Sequence, residues 1–503
     1  MKGAERAAAL GFCALFLLLG LAWISRPGLQ ADEVLFSTGI YVPERSTWWI
    51  GFQGHPVSVM EMPYVGAMKT WLYAGIFALW APSAASVRAP VVVAGAAAVW
   101  LVFLLMRRVA GRGAALVACG LLAVDPAFVW TVRCDWGPVA FQFLLCAAGL
   151  CALVRYYDTQ RTRWLGFGFL LFGLALWNKA IFAWTLAGLA AGLLSTFRTA
   201  FTRRRGAIAA LTLVLGASPL ILYNLTEKAE TLNRRLLASP SEIASKLPLL
   251  KESLEGQALY GYMAREPDLD EWGWVRRSPI PWLLAAAALV AWKSAAGRFF
   301  LVTFVVEWLT MAATHDGGYS LHHIVLLWPW PHCIIGTGVA EAARRWKWAY
   351  LPPLAAGLLS LAVTLRYHVL FARHGANPPW SEAIYSLYDE LNRSQWNRVY
   401  VNDWGIMEQL VLLSRGKLET DASFVRPADF VTKREGWVIV SHVDRFEVLA
   451  RVNRRIESVP GYHKQLLRVI KDRQGEDIYQ IFRMAPASVD PPPGVEIKPV
   501  PGR

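Results

Sequence analysis

The sequence predicts a polytopic α-helical membrane protein of about eleven transmembrane helices, with a small extracytoplasmic α/β domain near its carboxyl end. Three observations predict it. The 503 residues are 55% hydrophobic and only 17% charged, with a mean hydropathy of +0.34 that a soluble chain of ordinary make-up does not reach. Apolar runs of spanning length recur up to about residue 366 and then stop. The 24 tryptophans are many, as where rings anchor helices at two membrane surfaces. This composition excludes a disordered chain and a disulfide-stapled mini-protein. The six cysteines (13, 119, 134, 146, 151, 333) sit mostly in apolar runs, without zinc or disulfide spacing.

The first apolar run, 8 to 24, follows Lys2 and Arg6 and resembles a signal peptide, but no A-x-A site follows, so it reads as a retained helix. Further runs lie at about 87–106, 113–132, 137–154, 164–178, 180–197, 207–224, 280–292, 298–313, 322–342 and 347–366. The segment 63–80 begins at Pro63 and contains Lys69, which suits an interfacial helix better than a span. If it does not cross, the basic clusters Arg107/Arg108/Arg112, Arg155/Arg161/Arg163, Arg198/Arg203/Arg204/Arg205, Lys293/Arg298 and Arg344/Arg345/Lys347 all fall on one side with Lys2 and Arg6. The positive-inside rule makes that side cytoplasmic, with the carboxyl terminus outside. Much of the net charge of +14 is then a topology signal, and no nucleic-acid partner is implied.

This parity divides the chain into a transmembrane domain, 1–370, with a first outer loop at 25–86 and a long outer loop at 225–279. An extracytoplasmic domain follows at 375–483 and a Pro-rich, disordered tail at 484–503. Val399 to Val401 and Val438 to Val440 read as short buried strands, and 382–391 and 446–456 have helical periodicity. The polar strand ends Asn402-Asp403 and Ser441-His442 have the form of a ligand crevice, but ordinary strand-to-helix caps are the better reading.

Ionisable residues gather at the outer face: Asp32-Glu33 after the first span, His55 and Glu61 in the first loop, Arg88, Asp125, Arg133, Asp135, Lys179, and the pair His322-His323. Charge at membrane depth is costly and usually faces a cavity or a partner, so a shared outer-leaflet site is the economical reading. Bland readings stand beside it. Asp125 could simply cap a helix broken by Pro126, Arg133 could pair with Asp135, and Asn178-Lys179 could be a polar turn. Arg276 and Arg277 precede a span on the outer side, against the positive-inside trend, which suits either a bound anion or solvated side chains.

The ordered set of features resembles the GT-C-fold membrane glycosyltransferases, in particular the family 39 group of protein O-mannosyltransferases and aminoarabinose-transferase-like enzymes. The resemblance runs from residue 8 to about 345. It rests on Asp32-Glu33, Glu61-Met62-Pro63-Tyr64 through Trp71, Ser86 to Pro90 with Arg107-Arg108, Asp125-Pro126-x-Phe128 leading to Arg133-x-Asp135, Leu174 to Ile181, and His322-His323 before Pro329 and Pro331. It implies an inverting enzyme that moves a sugar from a polyprenyl-phosphate donor to a protein hydroxyl, lipid or glycan at the outer face of a bacterial inner membrane. Asp32 then matches the catalytic carboxylate, and Glu33 and Asp135 would orient the acceptor or hold a divalent cation, no other cofactor being implied. Arg88, Lys179, Arg276, Arg277, His322 and His323 are the donor-phosphate candidates. His55, Glu61, Asp125 and Arg133 would serve the acceptor or support its contacts. One departure stands out: Glu61-Met62 occupies the place where members of the group commonly carry a basic residue before the proline. The rival class is a transporter or flippase for a lipid-linked anion, which would spread its charges along a path through both leaflets.

Overall fold

The structure is a computed structural model that describes residues 3–196, 202–232, 237–265, 276–422 and 436–486. Each of the eleven apolar runs contains α-helix among the described residues. In chain order they form α1 (Gly3–Leu21), α5 (Ala84–Val109), α6 (Arg112–Val124) with α7 (Pro126–Cys134), α8 (Val139–Thr159), α9 (Thr162–Asn178), α10 (Phe182–Thr196) and α11 (Arg203–Thr226). Then follow α14 (Ile280–Ala291), α15 (Ala295–Ala313), α16 (Leu321–Ile324) with α17 (Trp330–Ala343), and α18 (Leu351–Arg373). Among the described residues six helices are long and apolar enough to cross a membrane, or seven if the bent α6–α7 pair is one span. The tenth run is not one helix: Pro329 and Pro331 cannot donate to a continuing helix, and only 14 residues remain continuous in α17. At ~1.5 Å per residue that is about 21 Å, short of the ~30 Å hydrocarbon layer. Close packing is visible where α9 meets α11: a Cβ at Gly173 would lie 2.2 Å from Leu213 O, and one at Gly216 2.4 Å from Leu170 O.

One end of the bundle gathers the basic connections. Glu5 at the start of α1 pairs with Arg107 at 2.9 Å and Arg112 at 3.5 Å, and Arg108 meets Asp158 at the end of α8. Gly113 packs on Tyr350, which brings the α17–α18 connection to the same end.

The opposite end carries the folded loops that the charge parity assigns to the outer side. The first outer loop is structured, with α2 (Ala31–Val34), α3 (Phe36–Tyr41), a three-stranded antiparallel sheet β1 (Trp48–Phe52), β2 (His55–Met62), β3 (Val65–Gly66), and α4 (Met68–Leu79). At 12 residues, about 18 Å, α4 is too short to span. It buries Lys69, Thr70 and Tyr73 and exposes Trp71, Leu72 and Leu79. In the long outer loop, α12 (Pro240–Ser245) and α13 (Leu247–Leu254) are described, and 233–236 and 266–275 lie outside the described residues.

The carboxyl-terminal domain holds α19 (Ala383–Arg393), β4 (Arg398–Val401), α20 (Met407–Ser414), β5 (Glu419–Asp421), β6 (Val438–His442), α21 (Ala450–Glu457), β7 (Tyr462–Lys471) and β8 (Asp477–Pro486). Its sheet order is β5-β4-β6-β8-β7, parallel among β5, β4 and β6 and antiparallel beyond. β8 continues to Pro486, which pairs with Tyr462, so the domain runs past residue 483 and the boundary placed at 484 moves. The remainder of the tail, 487–503, lies outside the described residues.

Candidate active site

Gln30 caps α2, accepting from the backbone N–H of Asp32 (2.7 Å) and Glu33 (3.3 Å). Successive helical residues diverge by about 100°, so the adjacent carboxylates face different surroundings. Glu33 points inward and is fully buried. Its two oxygens take Arg88 Nε at 2.6 Å and Nη2 at 2.8 Å, while the remaining Arg88 donors bond Ile24 O, Pro27 O and Gly28 O. All five N–H donors of this guanidinium are therefore used. Arg88 has none to offer a phosphate, and Glu33 has no oxygen free for a proton or a cation; the pair instead locks the Asp32 turn onto α5.

Asp32 is half-buried and forms no ion pair among the described residues. Burial pushes its carboxyl above the usual carboxylate range, opposed by the charge of Lys179. Lys179, in the turn between α9 and α10, is 1% exposed, and its Nζ has no hydrogen-bond partner among the described residues. Burial lowers this ammonium to about 7 against the pull of Asp32 and Asp135. The turn is held in place by a bridge between Lys179 and Val65 on β3. Gly137 makes room for the side chain: its φ is +80°, and a Cβ there would lie 2.6 Å from Lys179 Nζ and 3.8 Å from His322 Cδ2. His322 and His323 stand edge to face at 4.4 Å, both half-buried, with Ser320 Oγ 3.2 Å from His322 Nδ1. Asp32 and His322 thus both lie within the electrostatic reach of Lys179, with Gly137 between Lys179 and His322.

Asp135 also acts on Lys179. A left-handed residue (φ +42°) at the end of α7, it accepts from Ala140 N–H at 2.8 Å and lies 2.7 Å from Lys69 Nζ. Lys69 also donates to Glu33 O and stands over the Phe36 ring. With a lysine and a backbone amide already on its oxygens, Asp135 does not fit a cation site, and neither does Glu33. Lys69 was legible only as a charge interrupting an apolar segment; its partner was not.

The other candidates are elsewhere. Glu61 is caged by Ser46 (3.1 Å), Ser58 (2.8 Å) and Thr70 (2.5 Å), which fixes the β1–β2 sheet to α4. His55 is exposed beside the turn Gln53-Gly54, both of positive φ as a tight hairpin needs. Asp125 caps α7 through Phe128 N–H (2.9 Å) and meets His332 Nε2 at 3.1 Å, a helix length from Asp135. Arg133 does not pair with Asp135: it bonds Ala22 O, Trp23 O and Arg26 O, closing the carboxyl end of α1 as a cation should. Arg276 and Arg277 are exposed before α14, with Arg277 Nε 4.0 Å from Glu255. Three groups were not singled out by the sequence: His332; Glu307, buried in α15 on Thr185 and Trp330; and Glu408 of α20, whose carboxyl is raised by burial and, less, by the charge of Asp32.

Residues 64–223 match the family model for dolichyl-phosphate-mannose-protein mannosyltransferase, a stretch that holds Lys69, Arg88, Asp135 and Lys179. No curated protein sequence matches the chain. Among solved structures it resembles ArnT from Cupriavidus metallidurans bound to undecaprenyl phosphate, at 12% identity and TM-score 0.63, over 94% of this chain and 97% of that one. The Archaeoglobus fulgidus oligosaccharyltransferase tethered with an acceptor peptide follows at 12% identity and TM-score 0.53, over 98% of this chain and 75% of that one. The mycobacterial arabinofuranosyltransferase AftD matches at 14% identity and TM-score 0.56, over 95% of this chain and 41% of that one. What these likenesses show is the fold, the GT-C fold that the three structures share with this chain.

Proposed function

We propose that the chain is an inverting glycosyltransferase that takes a sugar from a polyprenyl-phosphate donor at the outer face of a bacterial inner membrane and passes it to a hydroxyl of a protein, lipid or glycan. One observation carries the reading: a buried Lys179 ammonium, without a hydrogen-bond partner among the described residues, lies near enough to the half-buried carboxylate of Asp32 for each to act on the other's charge. The ionised Asp32 takes the acceptor's hydroxyl proton as that oxygen bonds the anomeric carbon. The bond from that carbon to the phosphate oxygen breaks on the opposite face, and the electron pair leaves with the lipid phosphate. Protonated Lys179 neutralises the departing charge, with His322 and His323 beside it. A buried lysine poised near neutrality suits this role, because an arriving phosphate draws the proton onto it. The undecaprenyl phosphate bound to the ArnT structure of the same fold supports a donor of this class.

The test is mass spectrometry of lipid co-purified with the protein, followed by turnover of a polyprenyl-phosphate-linked sugar with the product anomer read by NMR. Bound polyprenyl phosphate and an inverted product are expected. Retention of configuration, or unchanged transport of an intact lipid-linked anion without sugar release, overturns the reading.

A further inference from the structure

The hairpin of β1 and β2 exposes apolar side chains on both of its faces. In β1, Trp49, Ile50, Gly51 and Phe52 are all exposed, Phe52 at 59%, and a Cβ at Gly51 or Gly54 would meet nothing within 4 Å. Burial starts only at the base of the hairpin, with Ser58, Val59 and Met60 of β2. Successive strand residues point to opposite faces, so Ile50 and Phe52 lie on one and Trp49 on the other. From Ser46 to Met60 the chain carries no Lys, Arg, Asp or Glu. A two-stranded ribbon of this make-up is at best marginal in water, and its exposed rings are those that favour a membrane interface. Its base stands beside α11, one of the helices long and apolar enough to cross a membrane. The Trp48 ring lies 6.0 Å from that of Tyr223 near the carboxyl end of α11, and Met60 packs in one cluster with Leu220 and Tyr223. The exposed leucines of α11 run to that same end, through Leu211, Leu215 and Leu222 to Leu225. The apolar hairpin thus continues a surface that faces lipid.

We infer that this hairpin is a membrane anchor, seated in the headgroup layer of the leaflet next to the carboxyl end of α11. The backbone limits its depth: β1 is an edge strand, and the unpaired N–H and C=O groups of a sheet edge are not tolerated in the hydrocarbon core. The headgroup layer still supplies water to that edge while it takes up the Trp49, Ile50 and Phe52 side chains. At its base the same sheet bridges Lys179 through Val65, so the anchor steadies the turn that carries Lys179. The anchor does not depend on which reaction the site performs.

The photoreactive residue p-benzoylphenylalanine is placed at Phe52, and in a second variant at Ile50, in the full-length protein in nanodiscs of phosphatidylethanolamine and phosphatidylglycerol. Leu215, exposed on α11, is the lipid-facing reference, and Leu466, exposed on β7 between Lys464 and Arg468, the water-facing one. After irradiation, lipid adducts are measured by mass spectrometry of the intact protein. Burial of one large apolar side chain favours the embedded state by ~10-fold or more, so adducts at Phe52 and Ile50 should exceed those at Leu466 by that factor and approach those at Leu215. Lipid adducts at Phe52 and Ile50 no more frequent than at Leu466 overturn the inference. So does a cross-link to a second copy of the chain in place of lipid, which would make the hairpin a contact between copies.

Discussion

Asp32 and Glu33 are chemically near-identical neighbours, yet Glu33 is saturated by Arg88 and Asp32 lies within reach of the charge of Lys179. Removing a partner from the buried pair leaves an uncompensated charge, so Arg88→Ala is expected to cost about 3–5 kcal/mol, read as a large drop in Tm in detergent. Lys179→Met removes a desolvated, unpaired ammonium. Its Tm should hold or rise, while its affinity for undecaprenyl phosphate should fall ~10-fold or more. The pH dependence has a definite sign. Lys179 must be protonated to hold phosphate, so affinity is full below about 7 and declines as pH rises through that value. Asp32 must be ionised, so turnover falls on the acid side at a pH above the usual carboxylate range. A bell-shaped profile is the expected outcome; monotonic growth of undecaprenyl phosphate affinity above pH 7 contradicts the role of Lys179. That these residues belong to one face was legible from their positions along the chain. Which of them are already occupied was not, because Arg88 reaches back 55 residues to Glu33 and Lys69 forward 66 to Asp135.

At the scale of elements, the apolar helices were legible because a run of apolar residues can satisfy its backbone only as helix in lipid, while six or seven of them among the described residues are long enough to cross. The breaks were legible in part. Pro126 after Asp125 announced the bend between α6 and α7, which measures 59°. The interruption before α17 was hidden inside an apolar run in which Pro329 and Pro331 were only flags. Asp125 belongs to this scale: it caps α7 and holds His332 across to α17. Asp125→Ala is expected to destabilise by ~2 kcal/mol, from the lost cap and the stranded histidine, with the Kd for undecaprenyl phosphate unchanged. A thermal melt and a binding isotherm on the same variant separate the two effects, and a loss of affinity without a loss of Tm would place Asp125 at the site after all.

Over the whole molecule, the gathering of Glu5, Arg107, Arg112 and Asp158 at one end, and of Asp32, Lys179 and Asp135 at the other, fits the charge parity of the loops. A cysteine introduced between residues 107 and 112 should therefore be labelled from the cytoplasmic side only; labelling from outside would invert the topology. The distant packing of α20 on α2 could not be read from sequence, since nothing in Gln409 itself names Leu29, 380 residues away. The central claim is that Asp32 takes the acceptor's proton while Lys179 holds the lipid phosphate. Its most direct test is sugar release from a polyprenyl-phosphate donor by Asp32→Asn alongside undecaprenyl phosphate binding by the same protein. A loss of turnover of at least ~100-fold with binding retained is expected, in keeping with the contribution of general base catalysis. Turnover at the wild-type rate in Asp32→Asn would contradict it.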